Sequence, residues 1–274
     1  MVWQDANVTS INQAVIRLLQ LSDIHLFGKT SGELLHVNTE VSFQAVLQLL
    51  KTKMDDFDFA ILSGDLTQDG SDQSYQKIVQ FLNKFTFPIY AIPGNHDDPT
   101  IMQQSLENSP ISTQQHLISQ HWQFILLHSF KRGTPRGELP EKELNMMQHY
   151  LETCKHHAAI ILHHPPISVK SEWLDTSQLI NSVQFWEIIS KFNHVKTVIC
   201  GHVHQAFEKK IGNVMLYAAP STCIQFKPGE TNFALDPIPP GYRWLHFYKD
   251  GHIKTGIERA PHYVGEFDKT AKGY

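Results

Sequence analysis

The sequence predicts an α/β fold built on buried, largely parallel strands, and three features point to it. From Val15 to Cys200, strand-like apolar runs alternate with amphipathic helical patterns. The runs are continuously apolar rather than alternating, which is how strands covered on both faces read. Five short groups of Asp, Asn and His stand along the chain, four of them directly after such a run, so residues far apart in sequence can converge on one rim of a sheet.

The elements follow in order. Residues 1–14 are polar and read as a loose lead-in. Residues 16–21 and 59–63 are the first two strands. Between them residues 39–53 place apolar side chains at 41, 43, 46, 47, 49 and 50, the three-to-four spacing of a helix with Thr39 as its N-cap. Residues 72–85, with Asp72 as N-cap, 140–154 and 177–192 read as further helices, and 159–162 and 195–200 as further strands. Strand–helix alternation implies a sheet covered on both faces by helices or by a second sheet. After His204 the texture changes to short runs at 207–211, 214–217, 224–226, 243–248 and 253–257. Gly212-Asn213 and Asp250-Gly251 separate neighbouring runs as two-residue hairpin signals, which predicts an antiparallel sheet packed on the first. Residues 228–241, rich in Pro and Gly, read as an ordered excursion, and 221–241 as a lid. One domain over 15–258 and a surface tail over 259–274 complete the expectation.

Composition sets bounds on function. The chain has 274 residues, 41% hydrophobic and 18% charged, with a formal net charge of −4. That charge disfavours a general nucleic-acid binder, so function must rest on a local site. No apolar run approaches the length that spans a bilayer. The N-terminus lacks the charged and apolar regions of a signal peptide. Three cysteines, Cys154, Cys200 and Cys223, are too few and too scattered for a disulfide framework, which fits a reducing cytoplasm. Cys200 reads as a small apolar residue ending a buried strand rather than as a ligand.

The five groups are Asp23-Ile-His25, Gly64-Asp65, Gly94-Asn95-His96-Asp97, His163-His164-Pro165 and Gly201-His202-Val-His204. Each alone has a bland reading as a cap or a turn. Together they offer oxygen and nitrogen donors suited to divalent first-row metals. Asp23 and His25, like His202 and His204, are two apart and share a face on extended chain. A carboxylate at Asp65 has two oxygens and can bridge two ions, while Asn95 supplies a neutral oxygen that limits negative charge where a phosphate must sit. The seven candidate ligands Asp23, His25, Asp65, Asn95, His163, His202 and His204 leave positions open for water and substrate, as a catalytic centre requires.

The ordered set D-x-H, G-D-x-x-x-x-G (Gly64 to Gly70), G-N-H-D, H-H-P and G-H-x-H resembles the calcineurin-like metallophosphoesterase superfamily. The resemblance implies a four-layer α/β/β/α sandwich with mixed central sheets and a dinuclear centre at the strand ends. It implies one metal held by Asp23, His25, Asp65 and His204, and a second held by Asp65, Asn95, His163 and His202. His96 matches the histidine that contacts phosphate and assists the leaving oxygen; substrate would touch His25, Asp65, Asn95, His96 and His204. Leu21-Ser-Asp-Ile-His-Leu-Phe27, Ser63-Gly-Asp-Leu-Thr-Gln-Asp69, Ser221-Thr-Cys-Ile-Gln-Phe-Lys-Pro228, Asn232-Phe, Pro240-Gly-Tyr-Arg243 and the Gly273-Tyr274 ending are similar to the bacterial class III cyclic AMP phosphodiesterases. One departure is His128, where relatives commonly carry an acidic residue, and no role is assigned to it.

The implied reaction is hydrolysis of 3′,5′-cyclic AMP to 5′-AMP by a metal-bridging hydroxide, with a small-molecule cyclic nucleotide as partner and neither nucleic acid nor membrane. Thiolate-free Asp, Asn and His ligands favour iron and manganese, with zinc, cobalt or nickel also compatible. The alternatives are a related phosphodiesterase acting on 2′,3′-cyclic nucleotides or other diesters, and a non-catalytic binding module of the same fold, which should have lost ligands that this chain keeps. Gln225, Phe226, Asn232 and Phe233 are expected to meet the purine; the competing reading packs both Phe residues onto the sheet.

Overall fold

The computed structural model describes residues 15–261, 268 and 270–273. The expected lead-in 1–14 and most of the tail, Tyr274 included, lie outside the described residues. In chain order the elements begin with β1 (Val15–Leu21), β2 (Glu33–Leu34), β3 (Val37–Asn38), α1 (Thr39–Leu50), β4 (Phe59–Ser63) and α2 (Asp72–Leu82). They continue with β5 (Ile89–Ile92), α3 (Pro99–Leu106), β6 (Ile111–Ser112), β7 (His116–Ile118), β8 (Trp122–Leu126) and α4 (Glu141–Thr153). Next come β9 (His157–Ile161), the single turn α5 (Glu172–Asp175), α6 (Ser182–Ile189), β10 (Val195–Cys200), β11 (Phe207–Ile211) and β12 (Val214–Ala218). The short pair β13 (Gln225–Phe226) and β14 (Leu235–Asp236) precedes β15 (Gly241–Tyr248) and β16 (Ile253–Arg259).

Two six-stranded mixed sheets form the centre, ordered β16-β15-β1-β4-β5-β6 and β11-β12-β10-β9-β8-β7. Because successive side chains on a strand face opposite ways, each strand feeds two cores. Leu18 joins the layer between the sheets with Ile61, Phe124 and Ile161, while its neighbours Leu19 and Leu21 pack under Phe43, Val46, Tyr75 and Ile78 of α1 and α2. In the second sheet Ala159 and Ile161 face the partner sheet, and Ala158 and Ile160 face Met147, Leu151 and Phe185 of α4 and α6. Three separate cores between four layers are the α/β/β/α sandwich.

Several local expectations change. Helix α1 is capped by Asn38, whose Oδ1 accepts the Val41 amide at 2.9 Å, and α2 by Ser71 rather than Asp72. Helix α3 went unread, although Asp98 caps it and Pro99 occupies its first turn, a start signal visible in sequence. The helix expected over 177–192 begins only at Ser182. Ahead of it the amides of Leu179 and Ile180 are spent on the carbonyls of Pro165 and Gly137, and the Ser177 hydroxyl turns to Leu174 and His202, so no helical ladder can form there. The C-terminal hairpins do not make a separate sheet. They pair onto the open edges of β1 and β10, covering backbone groups that would otherwise be exposed. Gly212-Asn213 is a two-residue turn as expected, but Asp250-Gly251 lies in a three-residue loop, with Tyr248 paired to His252 and Gly251 left-handed (φ +89°).

Candidate metal centre

Strand ends place the motifs. Asp23, Asp65 and Asn95 follow β1, β4 and β5 of the first sheet, and His163, His202 and His204 follow β9 and β10 of the second. Gln20, fully buried, fastens the two rims by donating its amide to Ser63 Oγ and the Cys200 carbonyl, both at 2.9 Å. Beyond the strands the first two loops stay in register, with the Asp23 amide bonded to Gly64 O and the His25 amide to Asp65 O, each at 3.0 Å. Across the sheets the His202 amide reaches Asp23 Oδ1 at 3.0 Å. Gly94 is required by contact: a Cβ there would run into the Asp65 carboxylate.

Asp23, His25, Asp65, His202 and His204 all adopt left-handed backbone, with φ between 49° and 69°. Non-glycine residues pay about 1 kcal/mol or more for that conformation, and such strain is concentrated at functional sites. It turns the side chains sharply inward off the strand ends. Asp23, His25, Asp65, His163 and His204 are fully buried, while Asn95 and His96 are half-buried.

The donor atoms face one another. His25 Nε2 lies 3.1 Å from His204 Nε2 and 3.8 Å from Asp65 Oδ2; His204 Nε2 is 3.4 Å from Asp23 Oδ1, and His163 Nε2 is 3.2 Å from Asp65 Oδ2. Neighbouring ligands on an ion about 2.0–2.2 Å away lie about 3–3.5 Å apart, so most of these spacings match edges of a coordination shell. Asp65 Oδ2 and His163 Nε2 are buried and take no hydrogen bond, an arrangement that is costly unless a cation sits between them. Asp65 stands between a group of Asp23, His25 and His204 and a group of His163 and His202, the position of a bridge. Burial would raise the Asp65 carboxyl, but His163, His96 and His25 hold it well below the usual carboxylate range. Burial would lower His163, yet Asp65 lifts it to about 9. His25 is pushed down to about 3 mainly by burial. The donor chemistry therefore fits two divalent cations.

The outward nitrogens of the histidines are each tied down. His25 Nδ1 meets Gln68 Oε1 at 2.6 Å, His163 Nδ1 the Ser63 carbonyl at 2.8 Å, and His204 Nδ1 the Ile224 carbonyl at 2.9 Å. His202 is held on both sides, by Asn95 Oδ1 at 3.0 Å and Ser177 Oγ at 2.7 Å. Such contacts orient metal ligands. None of Gln68, Ser177 or Ile224 was legible in the sequence, because their roles arise only from contacts across the fold. Asp97, fourth in its motif, is a clamp rather than a ligand. Its carboxylate accepts the amides of Gly94, Leu66 and Thr67 at 2.8–3.1 Å and is pushed up to about 6, chiefly by burial and then by Asp65. His128 stays outside the cluster; its amide bonds Glu143, and burial lowers its ring to about 4.

The centre opens on a cleft of about 540 Å³, lined by Asn95, His96 and His202 on its floor and by residues 133–135, 173, 174, 176, 177 and 273 on its walls. A groove of about 600 Å³ along α3 and β6 contains none of the motif residues. The expected purine contacts from the lid are corrected in part. Phe226 and Gln225 are buried; Phe226 stacks on His204 at 4.2 Å, and Gln225 bonds Ser221 O and Arg259. Continuous apolar packing, not exposure, explains that stretch. Among the described residues no helix is long and apolar enough to cross a membrane.

Comparison with known proteins gives the same picture. Residues 16–206 match the calcineurin-like phosphoesterase family. The chain is 38% identical to the 3′,5′-cyclic adenosine monophosphate phosphodiesterase CpdA of Vibrio vulnificus, over 99% of this chain and all of that one. It is equally 38% identical to the enzyme of the same name from Escherichia coli, over 96% of each chain. A 3′,5′-cyclic-nucleotide phosphodiesterase of Nostoc shares 36% identity over 90% of this chain and 93% of its own. Among solved structures, a dimetal phosphatase from Danio rerio has the same fold, with a TM-score of 0.64 at 13% identity over 90% of this chain and 100% of that one.

Proposed function

This chain belongs to the calcineurin-like phosphoesterase family, and from that premise we propose that it hydrolyses 3′,5′-cyclic AMP to 5′-AMP. The metal motifs are common to the family, so the choice of substrate rests on one observation: the likeness to cyclic AMP phosphodiesterases runs nearly end to end. In our reading Asp23, His25, Asp65 and His204 hold one ion, and Asp65, Asn95, His163 and His202 the other. Two divalent ions would lower the pKa of water and offset the charge of the phosphate. Iron or manganese suits these oxygen and nitrogen donors, and zinc, cobalt and nickel also fit.

The chain's own residues do the rest. Asp65 Oδ1 accepts the His96 amide at 2.9 Å, which fixes the His96 ring at the cleft floor, 5.1 Å from the His25 ring. There it faces the bond that breaks. Water adds to phosphorus, the bond from phosphorus to O3′ is cleaved, and His96 passes a proton to the departing oxygen. His25, Asp65, Asn95 and His204 border the phosphate, and the cleft volume suits a nucleotide. Acting on cyclic AMP places the protein in the cytoplasm. The purified protein, assayed with cyclic AMP, cyclic GMP, a 2′,3′-cyclic nucleotide and an aryl phosphodiester, should give its highest kcat/KM with cyclic AMP and release only 5′-AMP. Preference for the 2′,3′-cyclic substrate would overturn the reading.

A further inference from the structure

His164 carries no role in the ligand set above, yet it repeats the pattern of the histidines that do. Its Nδ1 is held by Ser129 Oγ at 2.8 Å, as Nδ1 of His25, His163 and His204 is held by other polar groups. That leaves Nε2, which is fully buried and takes no hydrogen bond. The ring is seated in a cradle made by Gly137, where a Cβ would strike the imidazole. The three imidazoles of His163, His164 and His202 form a nearly equilateral triangle, with ring centroids 4.9, 5.2 and 4.9 Å apart, and their donor atoms lie within 4.8 Å of one another. Three imidazoles bound to one ion through nitrogens about 2.1 Å away place their centroids at about this distance.

We propose that His164 is a direct ligand of the ion held at the His163 and His202 end of the centre, which makes that end a tri-imidazole site. The proposal rests on the reading that His163 and His202 face an ion. Its physical motive is the cost of an unpartnered ring nitrogen in a dry interior, which a cation removes. A Nδ1 anchored by a hydroxyl is the arrangement that keeps a metal-binding imidazole in one tautomer and orientation. A third nitrogen donor would also shift preference at this end toward metals that suit imidazole, such as zinc, iron, cobalt and nickel, and away from magnesium and calcium.

The test uses the full chain loaded with Co²⁺ and compared with His164→Gln, His164→Ala and, as a control outside the centre, His128→Ala. Cobalt per chain after equilibrium dialysis is read beside the paramagnetically shifted exchangeable imidazole N–H resonances. The wild type and His128→Ala should hold two ions. Both His164 variants should keep the first ion and bind the second at least tenfold more weakly, and His164→Gln should lose one shifted N–H resonance while the others remain. Two ions bound with unchanged affinity overturns the proposal but leaves the dinuclear centre standing. Weaker binding with every shifted resonance retained also overturns it, because His164 would then only support its neighbours. A wild type that binds no cobalt overturns both this proposal and the centre. Circular dichroism shows whether the alanine variant folds; the glutamine variant preserves volume and carries the test if it does not.

Discussion

The Tyr75 hydroxyl donates to Asp97 Oδ1 at 3.0 Å and accepts the Asp98 amide at 3.0 Å, which ties α2 to the loop that carries Asn95 and His96. Asp97 in turn gathers amides from the two loops after β4 and β5. Removing the acceptor strands several buried amides at once, at about 1–3 kcal/mol each. Asp97→Ala should therefore destabilise the protein by more than about 3 kcal/mol, and Tyr75→Phe by only about 1 kcal/mol. Denaturant unfolding checks the order; equal losses would show that the clamp is not centred on Asp97.

Asp65 separates the two donor groups and should serve both ions. Asp65→Ala should lose both metals by elemental analysis and activity with them, whereas His204→Ala should keep one ion and measurable turnover. Chelator-stripped wild type should regain activity with Mn²⁺ or Fe²⁺. Metal content below one per chain with activity intact would remove the dinuclear reading.

His96 is tested by its leaving group. His96→Ala should keep both metals yet lose roughly 10²–10⁴ in turnover on cyclic AMP. With a nitrophenyl phosphodiester, whose leaving oxygen needs little protonation, the loss should shrink. Equal losses on both substrates would make His96 a residue that positions phosphate.

The motif residues were legible because each sits within four residues of a strand exit, so a local pattern carries them. What surrounds them was not. The left-handed turns at Asp23, His25, Asp65, His202 and His204 fall on residue types that rarely mark such backbone. The bond from Ser177 to His202 breaks a segment whose periodicity alone reads as helix. Strand pairing also escaped, since β15 meets β1 across more than two hundred residues through edge complementarity rather than any local signal.

The cysteines give an independent check on packing. Cys200 and Cys223 are fully buried, and burial pushes the Cys223 thiol up to about 12 and the Cys200 thiol higher still, with Asp23 adding to the latter. A raised thiol pKa leaves almost no thiolate at pH 8. A thiol reagent should titrate one group, Cys154, in the native protein and three after denaturation. Rapid modification of a second thiol in the native state would contradict the packing around the centre.

The cleft divides base reading from metal support in a way that two aromatic residues can separate. Trp173 lines the wall facing His96 and packs edge-on against Phe226 and Phe233. Phe226 lies behind it, buried, with its ring parallel to His204. A purine in the cleft would therefore stack on Trp173, and stacking a base on an aromatic side chain is worth about 1–3 kcal/mol. Trp173→Leu should raise KM for cyclic AMP about tenfold and change kcat only a few-fold, because both ions and His96 stay in place. Phe226→Leu should do the opposite, lowering kcat and the affinity for metal by loosening His204 with little change in KM. The reverse result, a KM effect from Phe226 and none from Trp173, would return base recognition to residues 221–241 and remove it from the wall formed by residues 173–177.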